Sequence, residues 1–222
     1  MMGAKMEDSV LRFVKFDLQI IALSWLMLAY LVKIYQILRL PHPREVAPQK
    51  GSQELGVVYS YASLFLPWAM ESTRRHLWRW FEFALYHLGA GAAILATFTI
   101  PFAPSVMTRD ISLTMAVLVA GAFIMGALKL WRRITSEDLR LVSTPDDYFS
   151  LAGVEVFFLF TVMALVTGAP GWMKAYFIAT AAFLFYVPFS KISHYVQWFF
   201  ARASFGLRFG RRGIIVPGRV KP

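Results

Sequence analysis

The stretch from Trp80 to Phe102 reads WFEFALYHLGAGAAILATFTIPF, with Glu82 as its one charged side chain and His87 as its one imidazole. Its length fits the roughly 20 residues, at about 1.5 Å of rise each, that carry a helix across a hydrocarbon core of about 30 Å. A helix satisfies its own backbone hydrogen bonds in lipid, whereas an open strand cannot. We therefore predict that this stretch is a transmembrane helix.

Four more stretches have the same character, and none alternates with the period of two that strands of a membrane barrel require. The five predicted spans are residues 18–38, 80–102, 111–130, 148–167 and 172–199. Residues 57–70 are also apolar, but they are too short to span and contain Pro67, so we expect an interfacial helix or a segment packed against the bundle. The predicted fold is an all-α integral membrane protein, with a five-helix bundle in residues 1–200 and a basic tail in residues 201–222.

The composition of the whole chain also indicates lipid. Of the 222 residues, 58% are hydrophobic and 16% are charged, whereas an ordinary soluble domain is about 45–50% apolar and about 25% charged. This balance excludes a soluble globular domain. The chain has no Cys, which excludes disulfides, a thiol nucleophile and Cys-ligated zinc or iron–sulfur clusters on this chain. A tightly held cofactor would therefore depend on the four His.

The net charge of +10 is distributed unevenly along the chain. Lys and Arg concentrate between the first two spans, after the third span and in the tail. By contrast, the connection after the second span holds only Arg109, and the start of the fifth span holds only Lys174. The positive-inside rule then predicts the N-terminus outside and the C-terminus in the cytoplasm. We expect no nucleic-acid partner, and we expect the tail to contact anionic lipid headgroups or an acidic protein.

Two histidines fall inside predicted spans, His87 early in the second and His194 late in the fifth. With the predicted topology both belong to the inner leaflet, where two neutral imidazoles facing one another are a typical pair of axial ligands for haem. Gly89, Ala90 and Gly91 leave room either for a flat macrocycle or for a close-packed helix. Spacing alone leaves three alternatives open, which are haem ligation, polar contacts between helices and a proton relay.

Tyr86-His87-Leu88-Gly89, followed by a helix of small residues that ends at Pro101, resembles the second helix of a known family. That family is the membrane cytochrome b subunit, or gamma subunit, of respiratory nitrate reductases. The stretch PFSKISH at residues 188–194 resembles the end of the family's fifth helix, and the number and direction of the spans also agree. The resemblance extends to the membrane cytochromes of sulfate-reducer and methanogen complexes, including the small membrane subunit of the high-molecular-weight cytochrome complex.

This resemblance implies a multi-pass subunit of an anaerobic respiratory complex in a bacterial or archaeal cytoplasmic membrane. Such a subunit has no catalytic residues of its own. It relays electrons between a cytoplasmic iron–sulfur subunit and either the quinone pool, with menaquinone as the expected quinone, or another membrane subunit. Family members hold two haems b, and the inner ligand pair corresponds to His87 and His194. The outer positions hold Thr97 and Tyr176, which cannot replace imidazole, so we expect a single haem b.

Several charged side chains are candidates for supporting roles. Lys191 lies one helical turn before His194, and Lys191, Arg75 and Arg79 are candidates to neutralise a haem propionate. The alternative for each is a charge that simply reaches the membrane interface. The basic first loop and Arg208–Arg212 form the predicted docking face for the iron–sulfur partner.

Two acidic residues lie within predicted spans, where charge is costly. We expect Glu82 to pair with Arg79, three residues earlier. Glu155 has no basic partner on its own helix, which leaves two alternatives: an interhelical salt bridge or water contact, and proton acceptance at a quinone site. For the whole chain, the rival hypothesis is a haem-free scaffold or assembly subunit. A transporter is disfavoured because the sequence has no internal repeat and no broken mid-membrane helix.

Overall fold

The computed structural model describes residues 9–41, 46, 48–69 and 71–214, and all regular secondary structure in these residues is helical. The α-helices are α1 Ser9–Arg39, which includes a π-helical turn at Phe13–Asp17, α2 Gln53–Ala62, α3 Glu71–Arg75, α4 Leu77–Phe102, α5 Arg109–Thr135, α6 Glu137–Leu141, α7 Pro145–Thr167, α8 Pro170–Tyr186 and α9 His194–Arg211. Five helical runs are long and apolar enough to cross a membrane: α1, α4, α5, α7 and the run Pro170–Phe189. The prediction of an all-helical chain with five such helices is confirmed.

The predicted end of the fifth span is wrong. Instead of continuing to residue 199, α8 ends at Tyr186 and is followed by two short 3₁₀ turns, Val187–Phe189 and Lys191–Ser193. Pro188 has no N–H to continue the helical ladder. The Ser190 hydroxyl donates to the carbonyl of Val187 at 3.0 Å and accepts from the N–H of Ile192 at 3.1 Å, which offers the backbone an alternative to the helix.

The other spanning helices begin and end at recognisable local signals. The Thr108 hydroxyl caps the start of α5, and Thr144 forms a capping box with Asp147 at the start of α7. Gly168 ends α7 with φ of +64°, a left-handed conformation that suits a residue without Cβ. Pro170, at the first turn of α8, needs no hydrogen-bond acceptor there.

The described chain divides into two compact units, Met1–Ala29 with Phe81–Ile192 and Tyr30–Trp80 with Ser193–Pro222. The core of the first unit combines small residues on α4 and α5 with aromatic rings on α7 and α8. A Cβ built on Gly89 of α4 would meet the Leu118 carbonyl of α5 at 2.5 Å, so these two helices touch at backbone distance. Small residues at such contacts are typical of helix packing in membranes.

The second unit contains a similarly close pair of helices, α2 and α9. A Cβ on Gly206 of α9 would meet the Cα of Val57 at 2.5 Å, and one on Gly210 would meet the Ser52 carbonyl at 2.5 Å. The N–H groups of Lys50 and Gly51 donate to the Arg211 carbonyl at 2.7 and 3.1 Å, which caps the end of α9. Of the segment predicted at residues 57–70, residues 57–62 belong to α2 and residues 63–69 to the turns that follow it, whereas residue 70 lies outside the described residues. Within the predicted tail, residues 201–211 belong to α9, whereas residues 215–222 lie outside the described residues.

Candidate functional site

His87 lies on α4 in the first unit with its side chain exposed. Its Nδ1 is 2.8 Å from the Phe83 carbonyl of the preceding turn. A carbonyl oxygen only accepts hydrogen bonds, so Nδ1 carries the proton of the neutral ring and Nε2 carries the lone pair. The Phe83 ring also contacts the imidazole, with 4.0 Å between ring centroids. These contacts fix both the orientation and the tautomer of His87.

The small residues after His87 have two different environments. Gly89 faces α5, as described above, whereas a Cβ built on Gly91 would meet nothing within 4 Å. Gly91 is four residues beyond His87 and therefore lies on the same helix face. The sequence left two roles open for this stretch, close helix packing and room for a flat macrocycle. Gly89 serves helix packing, whereas Gly91 leaves open space on the helix face of the imidazole.

His194 is the first residue of α9 and belongs to the second unit, whereas the sequence predicted it inside the fifth span. Its side chain is exposed. The neighbouring Ser193 is buried, and its hydroxyl accepts from Lys33 Nζ at 3.2 Å. The Tyr195 ring packs edge-on against Tyr30, with centroids 5.4 Å apart. The start of α9 is thereby held against the second half of α1.

Thr97 and Tyr176, which occupy the positions of the family's outer haem ligands, meet directly in the first unit. The Thr97 hydroxyl lies 2.7 Å from the Tyr176 hydroxyl, and Tyr176 also donates to the Ala93 carbonyl at 2.8 Å. Tyr176 is fully buried. Two side chains in hydrogen-bond contact fill the space between α4 and α8 at this level.

The basic residues proposed for propionates differ in their partners. The Lys191 ammonium pairs with Asp147, and its backbone N–H donates to the Asp146 carboxylate at 2.9 Å. Arg75 pairs with Glu71 on the exposed surface of α3. The backbone N–H of Arg79 donates to the His76 carbonyl at 3.0 Å. Lys191 therefore ties the 3₁₀ turns to the start of α7.

The predicted pairing of Glu82 with Arg79 is wrong. Glu82 Oε2 instead accepts from Arg132 of α5 at 2.7 Å, and the Glu82 side chain is only 6% exposed. A three-residue spacing describes neighbours on one helix, but the buried face of α4 presents Glu82 to the neighbouring helix. This ion pair links the beginning of α4 to the end of α5.

Glu155 of α7 is 8% exposed, and neither of its carboxyl oxygens has a hydrogen-bond partner among the described residues. The interhelical salt bridge, which belonged to one of the two alternatives for Glu155, is therefore not formed with any described residue. A Cβ on Gly126 of α5 would overlap Glu155 Oε1 and would lie 2.9 Å from the Tyr86 ring. Lys129, one turn beyond Gly126, places its ammonium 3.9 Å from the centroid of the same ring.

Sequence reasoning missed Tyr86, Gly126 and Lys129 as neighbours of Glu155. Lys129 was the available signal, because it is a charged residue inside the third predicted span, where charge is unexpected. Among the described residues, no group of three or more His, Asp or Glu side chains comes together as a metal site, and the chain has no Cys.

A protein of Nitratidesulfovibrio vulgaris, named simply "Protein", is 28% identical over 178 residues, which cover 75% of this chain and 77% of that protein. No family model matches the chain. No solved structure matches it either.

Proposed function

We propose that this chain is the membrane subunit of a respiratory redox complex and holds one haem b, with His87 and His194 as axial ligands. In this proposal it relays electrons between a cytoplasmic iron–sulfur subunit and either the quinone pool, with menaquinone as the quinone, or another membrane subunit. Its C-terminus faces the cytoplasm of a bacterial or archaeal cell. Haem b, when bound, supplies a one-electron redox couple.

The observation that carries the proposal is the hydrogen bond from His87 Nδ1 to the Phe83 carbonyl. Histidines that bind metals commonly donate their second ring N–H to a carbonyl or carboxylate, which fixes the tautomer and makes the ligating nitrogen more basic. The lone pair of Nε2 and the open space at Gly91 both fit an iron-bound group on this helix face. His194 is the second ligand that the resemblance assigns.

The contact between Thr97 and Tyr176 supports the alignment of these two residues with the family's outer haem-ligand positions. In the family, the outer ligand positions of the second and fifth helices face one another, and here Thr97 and Tyr176 are in direct contact. A macrocycle between these positions would hold the two helices apart. The contact therefore supports the proposal of one haem b and gives no room for a second at this level.

The proposed roles of the basic residues follow from their partners. Arg79 is the proposed propionate contact, because Lys191 and Arg75 already pair with Asp147 and Glu71. Arg208 and Arg212 are exposed at the end of α9, and the proposed docking face for an acidic surface of the iron–sulfur partner includes them. Positive charge at this face would steer an acidic partner into place.

A reduced-minus-oxidised spectrum of the full chain, purified from the membranes of a haem-supplied host, tests the proposal. We expect a b-type signal in the wild-type protein and its loss in both His87→Ala and His194→Ala. His76→Ala is the matched control, because His76 is exposed in the turn before α4 and should leave the signal unchanged. Absence of the signal in the wild-type protein, or its survival in both ligand variants, would overturn the haem assignment.

The second candidate function is a haem-free scaffold subunit of such a complex. It is favoured by Gly89, whose close contact with α5 shows that part of the small-residue stretch serves helix packing. Recovery of an intact complex with no b-type signal would support this candidate and exclude the first.

A further inference from the structure

Glu155 is a buried acidic group that the proposed electron-transfer path does not use. It lies on α7 and faces α5, and its carboxyl group fills the notch left by the missing side chain of Gly126. Both of its oxygens are without hydrogen-bond partners in the described part of the chain. A carboxylate in such a place is costly, because burial removes its water and no donor replaces that water. The neutral acid is much less costly there.

Neighbours of Glu155 lie on the helices that pack against α7. On α5 the charged neighbour is Lys129, which interacts electrostatically with Glu155. On α4 the neighbour is Tyr86, whose ring is close to both Gly126 and the Lys129 ammonium. On α8 the nearby ring is that of Phe183, which faces Gly153, whereas the Tyr186 hydroxyl donates to Asp146 at 2.5 Å.

A series of residues on α5 leads from the Glu155 carboxyl group to the C-terminal end of α5. Gly126, Lys129 and Arg132 follow one another at three-residue spacing, so each is a neighbour of the next on the surface of α5. Along this series Lys129 is half-buried and the Arg132 side chain is 40% exposed. Glu82 pairs with Arg132, and Lys129 interacts electrostatically with both Glu82 and Glu155.

We propose that Glu155 is a proton-binding site inside the first unit, and that Lys129 connects it with the end of α5. In the resting state the proton resides on the Glu155 carboxyl group. When Glu155 releases it, the O–H bond breaks, the electron pair stays on the carboxylate, and the proton passes to bulk water. The Lys129 ammonium stabilises the resulting negative charge. One proton is bound and one is released, with no change in oxidation state. The site stands whether or not the chain binds haem.

Infrared difference spectroscopy during a pH titration of the full-length protein in lipid nanodiscs tests this proposal. We expect the carbonyl band of a buried protonated carboxylic acid, which ¹³C labelling of glutamate carboxyl groups would shift. The band should be absent in Glu155→Gln and present in Glu137→Gln, the matched control at an exposed position of α6. If labelling leaves the band unshifted, or if the wild-type protein shows no such band, the proposal is wrong even without a variant.

Replacing Lys129 tests the second half of the proposal. In Lys129→Met the carboxylate loses its nearby positive charge, so the band should persist to a pH about one unit higher than in the wild-type protein. Lys174→Met, at the start of α8, is the control and should not change the pH at which half of the carbonyl band is lost. An unchanged midpoint in Lys129→Met would exclude Lys129 as the partner of Glu155.

Discussion

The two ends of the first unit hold their buried polar groups in opposite ways. At the end where α4 finishes and α8 begins, Thr97 and Tyr176 are neutral and satisfy one another. At the other end, Glu82 and Arg132 carry opposite charges, and Glu155 lies near them without a hydrogen-bond donor. Neutral, satisfied groups stabilise helix packing in lipid, whereas buried charge is costly and typically marks function. One end is thus packed through neutral hydrogen bonds, whereas the other end contains buried ionisable groups.

Removing the charge partner of Glu82 should have the largest effect on this contrast. Arg132→Met leaves the Glu82 carboxylate buried and unpaired, and we expect the free energy of unfolding to fall by about 3 kcal/mol. The measurement is unfolding by SDS in mixed micelles. Arg140→Met, on the exposed surface of α6, is the matched control and should change it by less than about 0.5 kcal/mol.

A double variant sharpens that prediction. In Glu82→Gln with Arg132→Met neither charge of this ion pair remains, so most of the lost stability should return. If the double variant is as unstable as Arg132→Met alone, the cost comes from lost packing of the long arginine side chain. The charged end would then resemble the neutral end in the origin of its stability.

Adding a methyl group at the charged end should have an intermediate effect. In Gly126→Ala the new Cβ overlaps Glu155 Oε1 and crowds the Tyr86 ring, so we expect a loss of about 2 kcal/mol from overpacking. Gly171→Ala is the control, because a Cβ there meets nothing within 4 Å. Equal melting temperatures for the two variants in detergent would show that the Glu155 carboxyl group moves aside freely.

The smallest loss is expected at the neutral end. Tyr176→Phe removes the hydroxyl that contacts Thr97 and the Ala93 carbonyl, but Thr97 keeps its own bond to that carbonyl at 3.2 Å. We therefore expect a loss of about 1 kcal/mol in the same SDS titration. Tyr35→Phe, at an exposed position of α1, should leave stability unchanged. If Tyr176→Phe lowered the free energy of unfolding as much as Arg132→Met, the two ends of the unit would not differ in how they are stabilised.

Hydropathy alone predicts most of the membrane architecture, because lipid demands long apolar helices. The predicted span 148–167 and α7 share their last residue, and the predicted span 80–102 differs from α4 only by one turn at its start. The fifth span was predicted too long because a hydropathy average includes Pro188 without registering the lost N–H. The local bonds of the Ser190 hydroxyl are equally invisible to such an average.

The candidate site was harder to predict, because its contacts join different helices. His87 was identified as the ionisable residue inside a span, but the bond from its Nδ1 to Phe83 fixes the tautomer only in the folded helix. Glu82 was assigned to Arg79 because periodicity relates residues on one helix and gives no information on the neighbour. Lys129, Tyr86 and Glu155 come from three helices, and their meeting at Gly126 depends on how those helices pack.

The hydrogen bonds from Lys50 and Gly51 to the Arg211 carbonyl join two distant parts of the sequence. These two parts are synthesised at different times. At about 5–20 residues per second, the 160 residues between Gly51 and Arg211 (211 minus 51) take roughly 8–32 s to synthesise. During that interval α2 has emerged while its partner α9 does not yet exist. The contact between α2 and α9 can therefore form only after all five spanning helices have been synthesised.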